Sequence, residues 1–382
     1  MKAAFSLFIQ FFLLGCTSFG GPAAHLGYFR TVFVEQRKWL SDNEYSQLIA
    51  LSQFLPGPGS SQVGFAIGLK KMGLLGGLLA FIGFTLPSFV IMLALALGLS
   101  QFTQAPFAIE LISVLKIFAV FVVLDAVLGM AKNFCHNTRT IIVATLTACA
   151  IWLIPNPFVQ IACLLVAAVY GSLALKQTSQ TGIEHSSKIT WWPLVIFVGI
   201  FALILSGILP LPELFEQTFI AGSLVFGGGH VVLPLLQDYF ATNMGDNAFI
   251  TGYAAAQAVP GPMFTFATYL GALSHPQAWL GALIATAGIF LPGFILILAL
   301  HKQWQTLASK PNVAGLISGV NASVVGLLFA TLYDPIFTSA IHGKEDLALA
   351  VIGFVLLRFI KLPILWILLL AIGVASIKTW LI

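Results

Sequence analysis

The sequence predicts an all-α polytopic membrane protein made of two inverted-topology repeats. Gly/Pro-broken, re-entrant helices interrupt each repeat, giving about nine full spans and four hairpins. Three observations carry this. First, 59% of the 382 residues are hydrophobic and only 8% are charged, whereas a soluble domain carries about 25% charged residues. The mean hydropathy is +1.00, so there is too little polar surface for a water-soluble globule. Second, apolar runs recur along the whole chain, so the first is not a cleavable leader on a soluble protein. Third, the interruptions in those runs repeat at a nearly constant spacing.

Thirteen apolar segments follow in order: 3–20, 45–68, 72–100, 107–130, 138–153, 156–175, 190–208, 214–235, 250–270, 277–300, 311–331, 347–360 and 363–381. A simple span needs about 20 apolar residues at 1.5 Å each. Four segments are broken, at Phe19-Gly20-Gly21-Pro22, Pro56-Gly57-Pro58, Phe226-Gly227-Gly228-Gly229 and Pro260-Gly261-Pro262. Between the first two lies 27–45, which mixes aromatics with Arg30, Arg37, Lys38 and Trp39. It reads as a helix lying on the membrane surface, its basic residues able to draw anions toward an entrance.

The breaks come in pairs. Gly15, Phe19, Gly20 and Gly21 return 207 positions later as Gly222, Phe226, Gly227 and Gly228; Gln53, Pro56, Gly57 and Pro58 return 204 later as Gln257, Pro260, Gly261 and Pro262. The run 76–89 matches 281–294 at seven of fourteen positions, and Pro157 returns as Pro363. An offset so steady is a duplicated unit. The expected organisation is a first repeat over 1–175, a linker with one inverting helix over 176–209, and a second repeat over 210–382.

Loop charge fixes sides. Loops 27–45, 69–72, 131–139, 176–188, 301–310 and 358–361 are basic, while 101–106, 154–157, 209–213, 236–249 and 274–277 hold no Lys or Arg. If every segment crossed once, 27–45 and 69–72 would face opposite sides although both are basic. The conflict disappears if the four broken segments enter and leave on one side. Basic loops then lie inside, the N-terminus inside and the C-terminus outside. The plain alternative is that Gly and Pro merely kink complete spans. Inverted repeats with broken helices near the midplane are a recurrent transporter plan.

A broken helix leaves backbone N–H groups unpartnered where its second half begins, with about half a positive charge. An anion suits them. The expected donors are the amides at Gly20, Gly21, Gly57, Gly227, Gly228 and Gly261, hydroxyls of Ser60, Ser61 and Thr265, and amide side chains of Gln53, Gln62 and Gln257. Each Ser or Thr can equally be a plain helix cap. Ionisable residues in membrane segments are functional candidates. Lys116, about ten residues from either end of 107–130, can balance a dianion. His25, His230, Asp125 and Glu110 are candidates for proton coupling, against the plainer readings of packing histidines, an Asp125–Lys132 pair and a solvated Glu110.

Some functions are excluded. The net charge of +4 with no basic block argues against nucleic acid. Without a P-loop the chain is not expected to hydrolyse ATP. Cys16, Cys135, Cys149 and Cys163 lack metal-ligand spacing, so no metal or cofactor is expected. No acid pair or nucleophile–base spacing supports an enzyme.

With Phe19-Gly20-Gly21-Pro22, the Arg30–Leu40 stretch, Gln53-Phe-Leu-Pro-Gly-Pro58, Phe226-Gly-Gly-Gly-His230 and Gln257-Ala-Val-Pro-Gly-Pro262, the sequence resembles the long, two-domain members of the chromate ion transporter family. The resemblance covers nearly the whole chain. It implies export of chromate, a tetrahedral dianion, coupled to the proton gradient as an antiport across the bacterial inner membrane, and so chromate resistance. It also implies two homologous halves of opposite orientation. The second half departs from the pattern with Gly229 in place of Pro22, and with Asp238 and Asp246 in place of the basic stretch. The expected partners are chromate or a related oxyanion such as sulfate, protons and the lipid bilayer. An anion channel on the same scaffold is the alternative, and a homodimer is one option for assembly.

Overall fold

The computed structural model describes residues 2–19, 21–102, 106–154, 158–175, 191–208, 211–226, 229–301 and 311–381. They form helices α1 (Lys2–Thr17), α2 (Gly21–Phe29), α3 (Asp42–Phe54), α4 (Gly59–Phe102), α5 (Pro106–Phe134), α6 (Thr138–Leu153) and α7 (Phe158–Ala174). After α8 (Trp191–Ser206) come α9 (Glu213–Leu224), α10 (Val232–Met244), α11 (Asp246–Ala258), α12 (Phe266–Ser274), α13 (Ala278–Leu300), α14 (Pro311–Thr331), α15 (Lys344–Arg358) and α16 (Ile364–Leu381).

The broken segments are hairpins. Phe11 of α1 lies 5.8 Å from Phe29 and stacks at 4.8 Å on Phe33, so the chain after the first break runs back along α1. Glu44 at the start of α3 pairs with Lys70, and Lys71 lies 5.1 Å over the Trp39 ring. Residues 39–44 and 70–71 therefore share one side. In the second half Glu213 reaches Tyr239, and Gly252 packs against the Tyr269 ring. Within α4 the chain leaves helical geometry at Met72–Gly73 and turns back. Its outer arm, with α5–α8 and α13–α16, gives nine helical segments beside the hairpins among the described residues, matching the number of spans expected. α4, α5, α13 and α14 are each long and apolar enough to cross a bilayer. α6, α7 and α8 have 16 or 17 residues, about 25 Å each. Leu165, Val166, Val169 and Leu173 expose 60–70% of their surface on one face of α7, a stripe that only lipid would tolerate.

After α2, residues 30–36 continue the hairpin as a wide π-helical arm in which Phe33 and Val34 are buried and Phe33 stacks on Phe11 of α1. Its charges face outward, where Arg30 pairs with Glu35 and, at 2.7 Å, with Asp42.

The halves are interlocked reciprocally. The Gly57 N–H donates to Val225 O (2.7 Å), and the Gly261 N–H donates to Ser18 O (2.9 Å). Each Pro-Gly-Pro turn thus binds the first break of the other half. Both glycines have positive φ, 124° and 101°, which other residues rarely adopt. Each also lies against the opposite long helix beside its internal proline: Gly57 near Gly293, which follows Pro292, and Gly261 near Ser88, which follows Pro87. Farther out, α5 packs on α15 and α16, while α14 packs on α6 and α7. Each half's long helix is thus clasped by the other half's terminal pair.

Candidate functional site

Where the breaks meet, a cavity of about 1010 Å³ opens in the protein. Three breaks reach its wall. The first brings Gly21 and Pro22, the second Gly57, Gly59 and Ser60, and the third Gly229 and His230. The end of α3 adds Ser52 and Gln53, and the end of α11 adds Gln257. Two helices close the sides. α5 presents Val122, Asp125, Ala126, Met130 and Asn133; α14 presents Ala314, Ile317, Ser318 and Asn321. Both sets recur at three- and four-residue intervals, so each is one helical face. The exposed Asn133 and His136 mark the mouth, at the end of α5.

The first turn of α4 reaches this space with Gly59 and Ser60. Gln62 N–H is the first to find a helical partner, Pro58 O at 2.9 Å; the N–H groups before it have none within the helix. Ser60 is held from behind by His25, whose Nδ1 lies 3.2 Å from the Ser60 hydroxyl. Ser61 Oγ is buried and makes no hydrogen bond with the described residues. Gln62 turns away from the cavity and donates to Pro56 O (2.8 Å) and Gly293 O (3.3 Å), bracing the turn across the two halves. The N–H groups of Gly57 and Gly261 are taken by the cross-repeat bonds.

On the opposite wall the Gln257 amide nitrogen lies 3.3 Å from His230 Nδ1, which also meets the Tyr253 hydroxyl at 2.7 Å. An amide nitrogen only donates, so in this arrangement Nδ1 is the acceptor of the Gln257 contact. Asp125 bonds Arg358 of α15 at 2.9 Å. Its partner is therefore Arg358 and not Lys132, because α15 packs against the face of α5 that carries it.

Other expected residues lie elsewhere. Lys116 is buried in α5 but off the cavity wall, donating to Asn247 Oδ1 and to Ser339 O. Thr265 caps its own turn by donating to Pro262 O at 2.8 Å. Its neighbours Met263, Phe264 and Phe266 are buried against Phe249, Tyr253 and Phe290. Glu110 is half-buried near the start of α5, off the cavity wall. Gly20, Gly227 and Gly228 lie outside the described residues. Sequence reasoning missed Asn321, Ser318, Ser52 and Arg358. Asn321 stands 205 residues after Lys116, so extending the repeat into α14 would have pointed to it.

A family model described as chromate transporter matches residues 5–172 and again 212–377. The chain belongs to the chromate transporter family. It is 27% identical over 342 residues to a chromate transport protein of Pseudomonas aeruginosa, covering 86% of this chain and 80% of that one. It is 25% identical over 374 residues to a chromate transport protein of Cupriavidus metallidurans, covering 93% and 88%. A probable chromate transport protein of Synechococcus elongatus is 28% identical over 341 residues, covering 84% and 81%. No solved structure matches the chain. The family is one of transporters rather than enzymes, and its fold here is that of a multi-pass membrane protein.

Proposed function

We propose that this chromate transporter family member is a secondary active exporter of chromate, coupled to the proton gradient across a bacterial inner membrane, and that it confers chromate resistance. The supporting observation is the convergence on one cavity of the α4 start, with Gly59 and Ser60, and the amides of Gln53 and Gln257. Four oxygens of a tetrahedral dianion match a seat of N–H and O–H donors. Asp125 is the one carboxylate on the described wall, and Arg358 compensates its charge. His230, with its ring at the wall and in contact with Gln257 and Tyr253, is our choice for the proton carrier. His25 supports Ser60 from behind. Residues 1–175 and 210–382 act as the two rocking repeats, and 176–209 carries the helix that inverts the second.

The test is chromate uptake into inside-out vesicles. A dianion crossing 100 mV gains about 4.6 kcal/mol, so the potential alone would drive flux through a channel. With the potential clamped at zero, uptake that follows an imposed pH gradient supports the exporter; uptake indifferent to it supports a channel. Normal uptake by both Ser60→Ala and Gln53→Ala would remove the proposed seat. Competition by sulfate or molybdate at equal concentration measures selectivity among oxyanions.

A further inference from the structure

We propose that Lys116 is the latch of the mouth that is shut in this structure, and that Asn321 makes the equivalent closure at the other mouth when the cavity changes sides. This rests on the transport reading above and deepens it.

The two side chains occupy one position of the repeat. Leu111-Ile112-Ser113 in α5 recurs 205 residues later as Leu316-Ile317-Ser318 in α14, and three residues on stand Lys116 and Asn321. Their prospective partners also correspond. Asp42-Asn43 opens α3 eleven residues before Gln53, and Asp246-Asn247 opens α11 eleven residues before Gln257.

The structure treats these equivalent sites differently. Lys116 donates to Asn247 Oδ1 and, at 3.3 Å, to Ser339 O. It thereby ties α5 to the mouth of the α11 hairpin and to the turn beyond α14. Asn321 lies on the cavity wall, 7% exposed, and its Oδ1 has no hydrogen-bond partner among the described residues. Asn43 stands exposed at its own hairpin mouth. The helix faces follow the same rule. Val122 (4% exposed), Asp125 and Ala126 line the cavity, whereas their counterparts Leu327, Ala330 and Thr331 lie off its wall, at 0%, 1% and 4% exposure. One end of the molecule is thus open and its pseudo-symmetric end is packed. When inverted repeats rock, the two ends exchange these arrangements. Asn321 then takes Asn43 as Lys116 now takes Asn247. A charge-assisted bond outweighs a neutral one, so the molecule rests with the Lys116 mouth shut and the cavity open where α5 ends.

The experiment replaces Cys16, Cys135, Cys149 and Cys163 by serine and adds one of two pairs, Lys116→Cys with Asn247→Cys or Asn43→Cys with Asn321→Cys. Oxidation of the first pair should form a cross-link without substrate and lower chromate uptake at least tenfold, reversibly with reductant. The second pair should cross-link several-fold faster during turnover and also block uptake. The latch is refuted if the oxidised first pair transports at its reduced rate. It is equally refuted if the second pair never cross-links in vesicles whose reduced protein transports. A separate readout needs no transport: Ser318→Cys labelled by a membrane-impermeant maleimide from the α5 C-terminal side. Adding Lys116→Met should slow that labelling several-fold; an unchanged rate refutes the latch. If reduced protein moves no chromate but the labelling shift appears, the latch stands and the substrate reading falls.

Discussion

At the first Pro-Gly-Pro turn the next helix begins Gly59-Ser60-Ser61-Gln62 and faces the cavity; at the second the chain continues Met263-Phe264-Thr265-Phe266 and is sealed among aromatic rings. The backbones are twins, down to the positive φ of the central glycine and the bond it donates across the molecule. Duplication has preserved the part that shapes the chain, while the side chains have divided the labour. One turn reaches the cavity with Gly59 and Ser60; the other supplies a packed wall, and Gln257 before it reaches the cavity with its amide.

The largest expected effect tests the shared backbone. Gly57→Ala and Gly261→Ala each force a side chain into positive φ, at about 1–3 kcal/mol of strain, with a further clash against Gly293 Cα (3.0 Å) or Ser88 Oγ (2.9 Å). Both should lower the melting temperature of the purified protein by similar amounts. A loss at only one turn would break the equivalence.

The next test separates the side chains. Ser60→Ala should lower chromate uptake about tenfold, which is 1.4 kcal/mol, with little change in melting. Thr265→Ala should do the reverse, losing about 1 kcal/mol of stability with its bond to Pro262 while uptake stays within twofold. Equal transport losses would mean that both turns touch the solute.

A smaller effect is expected at the wall. Arg358→Met leaves Asp125 uncompensated and should reduce uptake severalfold; Asp125→Asn frees the guanidinium and should tighten apparent anion affinity. The pair is about a third exposed, 36% and 32%, so either change should cost less than about 1 kcal/mol of stability.

The smallest concerns acid. Hydrogen bonds from Lys70 and then from the Ser41 backbone hold the Glu44 carboxyl down, from 4.5 to about 2. A depressed carboxyl contributes stability that is complete above pH 4.5 and is lost as pH falls from there toward 2. The pair is largely exposed, so the contribution is a few tenths of a kcal/mol. Positions 248 and 274 of the second half hold Ala and Ser, so acid should loosen the α3–α4 hairpin of the first half and not its counterpart. Trp39 emission, read against Glu44→Gln, measures this: the variant should show no transition as pH falls from 4.5 toward 2.

Much of this architecture was legible because it is written in apolar runs and in glycines and prolines, whose effects on the chain are local. The four hairpins followed from loop charge, and the paired turns from a constant offset. The depth of Lys116 was legible too, but its partners were not: Asn247 and Ser339 are brought to it by packing between halves 131 and 223 residues apart in sequence. Arg358 was hidden for the same reason, because nothing near Asp125 in the chain announces a partner on α15. Ser60 and Gln53, which reach the cavity wall, could be singled out from spacing; that Gln62 would turn aside to brace Gly293 could not.

The crossed bonds at the two turns also bear on how the polypeptide is made. While the ribosome has delivered only the first 175 residues, Ser18 O and Gly57 N–H still await Gly261 and Val225. The emerging half must wait in the bilayer, unfinished, until its sibling is inserted. Two fragments severed in the connecting stretch should each be degraded alone, yet rescue one another when synthesised together.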